Sequence, residues 1–273
     1  MGSDTPGRGV HVAQEKTVLL ERTSEHVAIA RFNRPEVHNA WNDALIADLE
    51  AVVNELSRDR DLRVIVFTGA GDKSFAAGAD INEFRTRTPL MAFQNSRRRQ
   101  ALLQRVEDLP QVSIAAINGY AFGGGCEFAL CCGLRVASSK AKMGLPEVKL
   151  GLMPGIGGTQ RLPRLVGRGR ALDLIVTGRT VDAEEAYRIG LVDRLVRHES
   201  LLDESLALAD EIASRAPVAV HLARKAIDAS FEGSFHEGTT LESAFIALCF
   251  AGEDVREGIA AFDEKRPPRF SGA

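Results

Sequence analysis

Apolar and polar positions alternate over Thr17-Val-Leu-Leu-Glu-Arg and again over Val27-Ala-Ile-Ala-Arg-Phe, with a polar turn around Ser24, Glu25 and His26 between them. This period of two predicts two strands joined as a hairpin. The period then lengthens: Leu45, Ile46, Leu49, Val52, Val53 and Leu56 fall on one side of a helix that Asn42 and Asp43 are suited to cap. The β-branched run Val64-Ile-Val-Phe-Thr follows and completes a β-α-β unit. A second helix is expected from about Leu90 to Leu109 and a strand over Val112 to Ile117. A glycine bend, a helix of small residues and a strand around Leu134 to Ala137 come next. Repeated units of this kind predict a sheet with helices packed outside it. From Gly157 onward the pattern reads as almost entirely helical, with caps or breaks at Gly167, Gly178, Gly190, Pro217, Gly233 and Gly252. The expected organisation is a flexible tail over 1–15, an α/β core over 16–200 and a helical C-terminal region over 201–273.

Composition removes function classes rather than choosing one. With 273 residues, 45% apolar and 26% charged, the chain fits one large core, and a net charge of −3 offers no basic field for nucleic acid. The run Arg97-Arg98-Arg99 lies in a helical pattern and reads as a solvated face. Cys126, Cys131, Cys132 and Cys249 show no C-x-x-C spacing, and the six histidines form no metal-ligand pattern, so no metal is expected. The polar start lacks the apolar core of a secretory signal and no run is long enough to span a bilayer, so the expected location is the cytoplasm, away from membranes.

The candidate chemistry lies between 118 and 158, where Glu127 and Glu147 each stand beside a glycine-rich bend. Gly123-Gly124-Gly125 opens the small-residue helix, whose first turn has free N–H groups able to hold an oxyanion. A second bend, Ser74-Phe-Ala-Ala-Gly-Ala-Asp80, follows the strand at Val64. If Ala79 and Gly124 aim an N–H at one point, they form a two-donor hole for the negative charge of an enolate. Gly155-Ile-Gly-Gly lacks the spacing of a dinucleotide loop, and no G-x-S-x-G supports serine hydrolysis. Trp41, Phe84 and Phe122 read as core or pocket wall.

Three stretches carry a resemblance: Phe75-Ala-Ala-Gly-Ala-Asp-Ile, Asn118-Gly-Tyr-Ala-Phe-Gly-Gly-Gly-Cys-Glu, and Leu145-Pro-Glu-Val-Lys-Leu-Gly-Leu-Met-Pro-Gly-Ile-Gly-Gly-Thr-Gln-Arg-Leu. With Asn33-Arg-Pro-Glu-Val-His-Asn-Ala, Leu174-Ile-Val-Thr-Gly and Glu257-Gly-Ile-Ala-Ala-Phe-Asp-Glu-Lys-Arg, the chain resembles the enoyl-CoA hydratase/isomerase, or crotonase, family from about Val18 to Phe270, its bacterial hydratases above all. The resemblance implies a crotonase-like (ClpP/crotonase) α/β spiral of β-β-α units with a helical C-terminal region. It puts the oxyanion-hole amides at Ala79 and Gly124 and the catalytic carboxylates at Glu127 and Glu147. It implies coenzyme A contacts at Val37, Ala77, Asp80, Ile81 and Lys265, an acyl-CoA substrate with no further cofactor, and assembly through the C-terminal helices as a homotrimer or homohexamer. Three positions depart from the family pattern: Asn82 stands where a phosphate-binding lysine is common, Gly133 where many relatives have an aspartate that makes a structural hydrogen bond, and Leu145 where some hydratases have glutamine. Lys265 or Arg266, from this or a neighbouring subunit, would replace the missing lysine.

Both acids are present, which favours a hydratase of fatty-acid or related acyl-CoA breakdown, one that adds water syn across a trans-2-enoyl thioester to give a 3-hydroxyacyl-CoA. The thioester carbonyl, held by two N–H donors, makes C3 electron-poor, and the two carboxylates handle the protons of one water. That work requires at least one glutamate with a raised pKa; spacing does not say which. The alternatives are an enoyl-CoA isomerase, a dehydratase of a specialised acyl-CoA, and a non-catalytic acyl-CoA-binding subunit.

Overall fold

The hairpin and the first β-α-β unit form where the alternation places them. The computed structural model describes residues 16–273, and the tail expected over 1–15 lies outside the described residues. Strands β1 (Val18–Arg22) and β2 (Val27–Phe32) pair antiparallel. Helix α1 (Asp43–Leu56) starts at Asn42, whose side chain accepts from the Leu45 N–H, and buries the six apolar residues expected. It leads to β3 (Val64–Gly69), parallel to β2.

Each later turn of the chain supplies a long strand, a short strand and a helix. β4 (Ser74–Ala76) and α2 (Pro89–Glu107) follow β3; then come β5 (Val112–Ile117), β6 (Tyr120–Phe122) and α3 (Gly124–Cys131). β7 (Leu134–Ser138), β8 (Lys142–Gly144), α4 (Gly158–Val166) and α5 (Arg168–Thr177) complete a third turn. The long strands join in a six-stranded sheet ordered β1-β2-β3-β5-β7-β10, and the short ones in a four-stranded sheet ordered β4-β6-β8-β9. This is the crotonase-like spiral of β-β-α units.

Two strands interrupt the stretch read as helical after Gly157: β9 (Thr180–Asp182) pairs with β8, and β10 (Arg194–Val196), beyond α6 (Ala183–Arg188), pairs with β7. Three residues are too few to display a period, so tertiary pairing alone creates them. The triple-arginine run also divides: Arg97 and Arg98 are exposed, while Arg99 is buried, its guanidinium 3.3 Å from Asp43 and 3.2 Å from Glu83.

The central strands bury both faces, as expected of a parallel sheet. Ala28, Ala30, Phe32, Ile65, Phe67, Ala115 and Ile117 face the helices α1 to α6. Val27, Ile29, Val64, Val66, Ile114 and Ala116 face Leu201, Leu208, Ala209 and Ala213 of α7 (Leu201–Ala213). The last helices, α8 (Pro217–Ala229), α9 (Phe235–Ala251) and α10 (Asp254–Asp263), pack mainly on one another, and α8 and α9 contain no buried residue.

Candidate active site

The two glycine bends meet because α3 comes very close to the short sheet. A Cβ at Gly125 would lie 2.1 Å from the Ala76 carbonyl oxygen, so only glycine allows the approach. Phe128 anchors the same helix, its ring edge-on to those of Phe67 at 4.9 Å, Phe32 at 5.1 Å and Trp41 at 5.6 Å. The 74–80 bend abuts the start of α3, since a Cβ at Gly78 would stand 3.1 Å from the Phe122 carbonyl oxygen and 3.9 Å from Gly123 Cα.

Backbone pairing turns the two expected amides free. Trp41 N–H donates to the Gly78 carbonyl and Asp80 N–H to the Trp41 carbonyl, each at 2.8 Å. Groups alternate along an extended chain, so Ala79 N–H points away from Trp41. Gly124 is the first residue of α3, whose opening N–H groups have no intrahelical acceptor. Among the described residues, neither amide donates to a backbone carbonyl. Asn39 fixes this geometry and was not singled out by the sequence reasoning. It is fully buried with φ 56°, accepts from Arg34 N–H and donates to the Ala70 and Ser74 carbonyls at 3.1 and 2.8 Å. Its sequence signals are its place in the Asn33–Ala40 stretch and an asparagine's fitness for a left-handed loop position.

The carboxylates sit in contrasting surroundings. Glu127, 2% exposed in the first turn of α3, accepts from Ile156 N–H and Gly158 N–H at one oxygen, Oε1, both at 2.8 Å. Burial raises its pKa, opposed by those amide donors and by the positive charge of Arg161. Glu147, in the 3₁₀ turn Pro146–Leu150, is half-buried, and its Oε2 is enclosed without a hydrogen-bond partner among the described residues. Burial, with the nearby Glu127 charge added, pushes its pKa up to about 7. A Cβ at Gly123 would lie 3.3 Å from Glu147 Oε1, which places this carboxylate at the start of α3 beside the Gly124 amide.

Four of the five expected coenzyme A residues cluster near the same bend. Ala77 N–H donates to the His38 carbonyl at 3.0 Å, bringing the neighbourhood of Val37 onto Ala77. Asp80 caps the 3₁₀ turn Ile81–Phe84 through Asn82 N–H and lies 3.6 Å from Arg34, while Ile81 is 58% exposed. Lys265 stands apart from them at the end of α10, exposed and with φ 55°. Its segment is tied by the Phe270 carbonyl to Arg63, at the opposite end of β3 from the bend. Arg266 is engaged by Glu257 at 2.6 Å and Glu264 at 2.5 Å. Gly133 leaves no gap in the local bonding, because its N–H donates to Ser113 Oγ at 2.9 Å. Leu145 is buried against the Glu127 loop.

A β-β-α spiral that brings two free amides beside one buried and one half-buried carboxylate defines the crotonase class. The Enoyl-CoA hydratase/isomerase family model matches residues 22–273, and the chain belongs to that family. It is 40% identical over 255 residues to the crotonyl-CoA hydratase of Syntrophomonas wolfei, covering 93% of this chain and 98% of the relative. It is 41% identical over 249 residues to the short-chain-enoyl-CoA hydratase of Clostridium acetobutylicum, covering 91% and 95%. The crystal structure of enoyl-CoA hydratase from Bacillus anthracis superposes with a TM-score of 0.92 at 38% identity, covering 94% of this chain and all of that one.

Proposed function

We propose that this chain is an enoyl-CoA hydratase in which Ala79 and Gly124 form the oxyanion hole and Glu127 and Glu147 divide the proton chemistry. The observation that carries the reading is the unequal pair of carboxylates beside two unpaired amides. The thioester carbonyl oxygen binds the two N–H groups, which stabilise the enolate formed as water attacks C3. Glu127, whose charge is favoured by its amide donors, takes a proton from the attacking water. Glu147, whose pKa of about 7 keeps a protonated population near neutral pH, delivers that proton to C2. The water oxygen thus ends on C3 and a proton on C2; the proton left on Glu127 returns to Glu147 through the next water and restores the pair. No cofactor beyond the coenzyme A substrate enters these steps.

Val37, Ala77, Asp80 and Ile81 contact the coenzyme A moiety in this reading, and Lys265 reaches it from a neighbouring copy. Trimeric or hexameric assembly is supported by the bare faces of α8 to α10, where Phe235 is 89% and Phe262 84% exposed. The four free thiols support a reducing compartment such as the cytoplasm.

Glu127→Gln and Glu147→Gln should each slow crotonyl-CoA hydration by about a hundred- to ten-thousandfold with binding retained. Near-wild-type loss of enoyl absorbance in either purified variant would sink the assignment. Light scattering after gel filtration should give a trimer or hexamer that Phe262→Asp breaks; a monomeric wild-type chain overturns the assembly.

A further inference from the structure

The loop that holds Glu127 is itself held from behind, peptide by peptide. A trans peptide points its C=O and the following N–H in opposite directions, so gripping the carbonyl on one side aims the N–H on the other. The Gly155 carbonyl accepts from Ser96 Oγ at 2.5 Å and Gln100 Nε2 at 3.0 Å, both on α2, and the N–H of that peptide is the Ile156 donor to Glu127. The Gly157 carbonyl accepts from Gln160 and Arg161 N–H at 3.0 and 2.9 Å, and its peptide partner is the Gly158 donor to Glu127. Between them, the Ile156 carbonyl accepts from Arg161 Nη1 at 3.1 Å. Arg161 is gripped in turn by Glu107 at the end of α2, Nε to Oε1 at 2.6 Å and Nη2 to Oε2 at 2.7 Å.

The adjacent glycines make room for both sides of this arrangement. A Cβ at Gly157 would fall 1.9 Å from Arg161 Nη1, and one at Gly158 would fall 3.0 Å from Glu127 Cγ. The guanidinium and the carboxylate therefore lie against bare backbone at successive residues.

We propose that Ser96, Gln100 and Arg161 are positioning residues, which lock the 155–158 peptides so that their N–H groups aim the Glu127 carboxylate at the reacting water. Helix α2 then acts as a strut for the catalytic base. The inference rests on the role given to Glu127 above. The titratable and charged groups around Glu127 are Cys126 on its own helix, Glu147 from the 3₁₀ turn and Arg161 from α4, with Arg135 acting more distantly through Cys126.

The test is steady-state hydration of crotonyl-CoA across pH by Ser96→Ala, Gln100→Leu, their double variant, Arg161→Lys and Arg161→Gln. Loosening the peptides should lower kcat by about ten- to a hundredfold with KM unchanged, the effect seen when groups orienting a reactive ligand are removed. Because the N–H donors favour charged Glu127, the acidic limb of kcat should move to higher pH. Arg161→Lys should recover part of the activity lost in Arg161→Gln. Arg98→Gln, also on α2, removes an exposed pair with Glu50 of α1 and should alter melting without altering kcat. Wild-type kcat in the double variant, a change confined to KM, an unmoved acidic limb, or an equal kcat loss in Arg98→Gln would each overturn the strut. Turnover retained in Glu127→Gln would instead overturn the role of Glu127, so the two failures are separable.

Discussion

The 155–158 loop and the 145–151 turn each serve one glutamate, and they treat it in opposite ways. The loop gives Glu127 two N–H donors and a nearby guanidinium, which oppose the rise in pKa that its burial imposes. The turn gives Glu147 enclosure without a partner for Oε2 among the described residues, and its pKa rises to about 7. In the proposed mechanism two identical side chains thereby serve as base and acid. The difference comes from backbone amides rather than from the residues' own chemistry, since N–H donors stabilise the charged form more than the neutral one.

The contrast is broken most completely by filling the space between loop and helix. Gly158→Ala puts a Cβ 2.9 Å from Leu145 Cδ1 and 3.0 Å from Glu127 Cγ, so the leucine must shift and the glutamate give way by a fraction of an ångström. A misplacement of a full ångström costs about a hundredfold in rate, and this smaller one should cost about tenfold. Stopped-flow hydration of crotonyl-CoA should show this loss in kcat with little change in substrate affinity. An unaffected kcat would mean that the Gly158 contact does not set the base.

A milder probe is the pH dependence. Glu147 must be protonated to serve C2, so kcat should fall as pH rises through about 7. That alkaline limb should be absent from the residual activity of Glu147→Gln. Its persistence in the variant would assign it to another group.

The smallest effect concerns stability. The pKa of Glu147 lies above its ordinary 4.5 in the folded protein, so the folded state binds more protons between pH 4.5 and about 7. Stability from this group is present below that window and is lost as pH rises through it. Glu147→Gln should therefore raise Tm at pH above 7, by about 2–4 °C if roughly 1 kcal/mol is relieved, and change little at pH below 4.5. Calorimetry at the two extremes checks the sign; an equal shift at both would place the strain elsewhere.

The long strands and the first helix were legible because their burial repeats along the chain. Val64 to Phe67 alternate between two cores, and Leu45 to Leu56 fall on one helical face with Asn42 capping it as expected. The short strands β4, β6, β8 and β9 were not, since three residues cannot show a period and exist as strands only when neighbours pair with them. The site divides in the same way. Glu127, Glu147, Ala79 and Gly124 stood out in the sequence with a role, while Asn39, Arg161 and the amides of Ile156 and Gly158 lay inside the family stretches without one.

By itself, then, the sequence determined the family, the two acids and the face each long element buries, because motifs and periodic burial are local properties of the chain. Only the tertiary structure decided which glutamate receives amide donors and which is left enclosed. The physical reason is distance along the chain: the donors to Glu127 lie 29 and 31 residues away, and folding alone brings their peptide dipoles to its carboxylate.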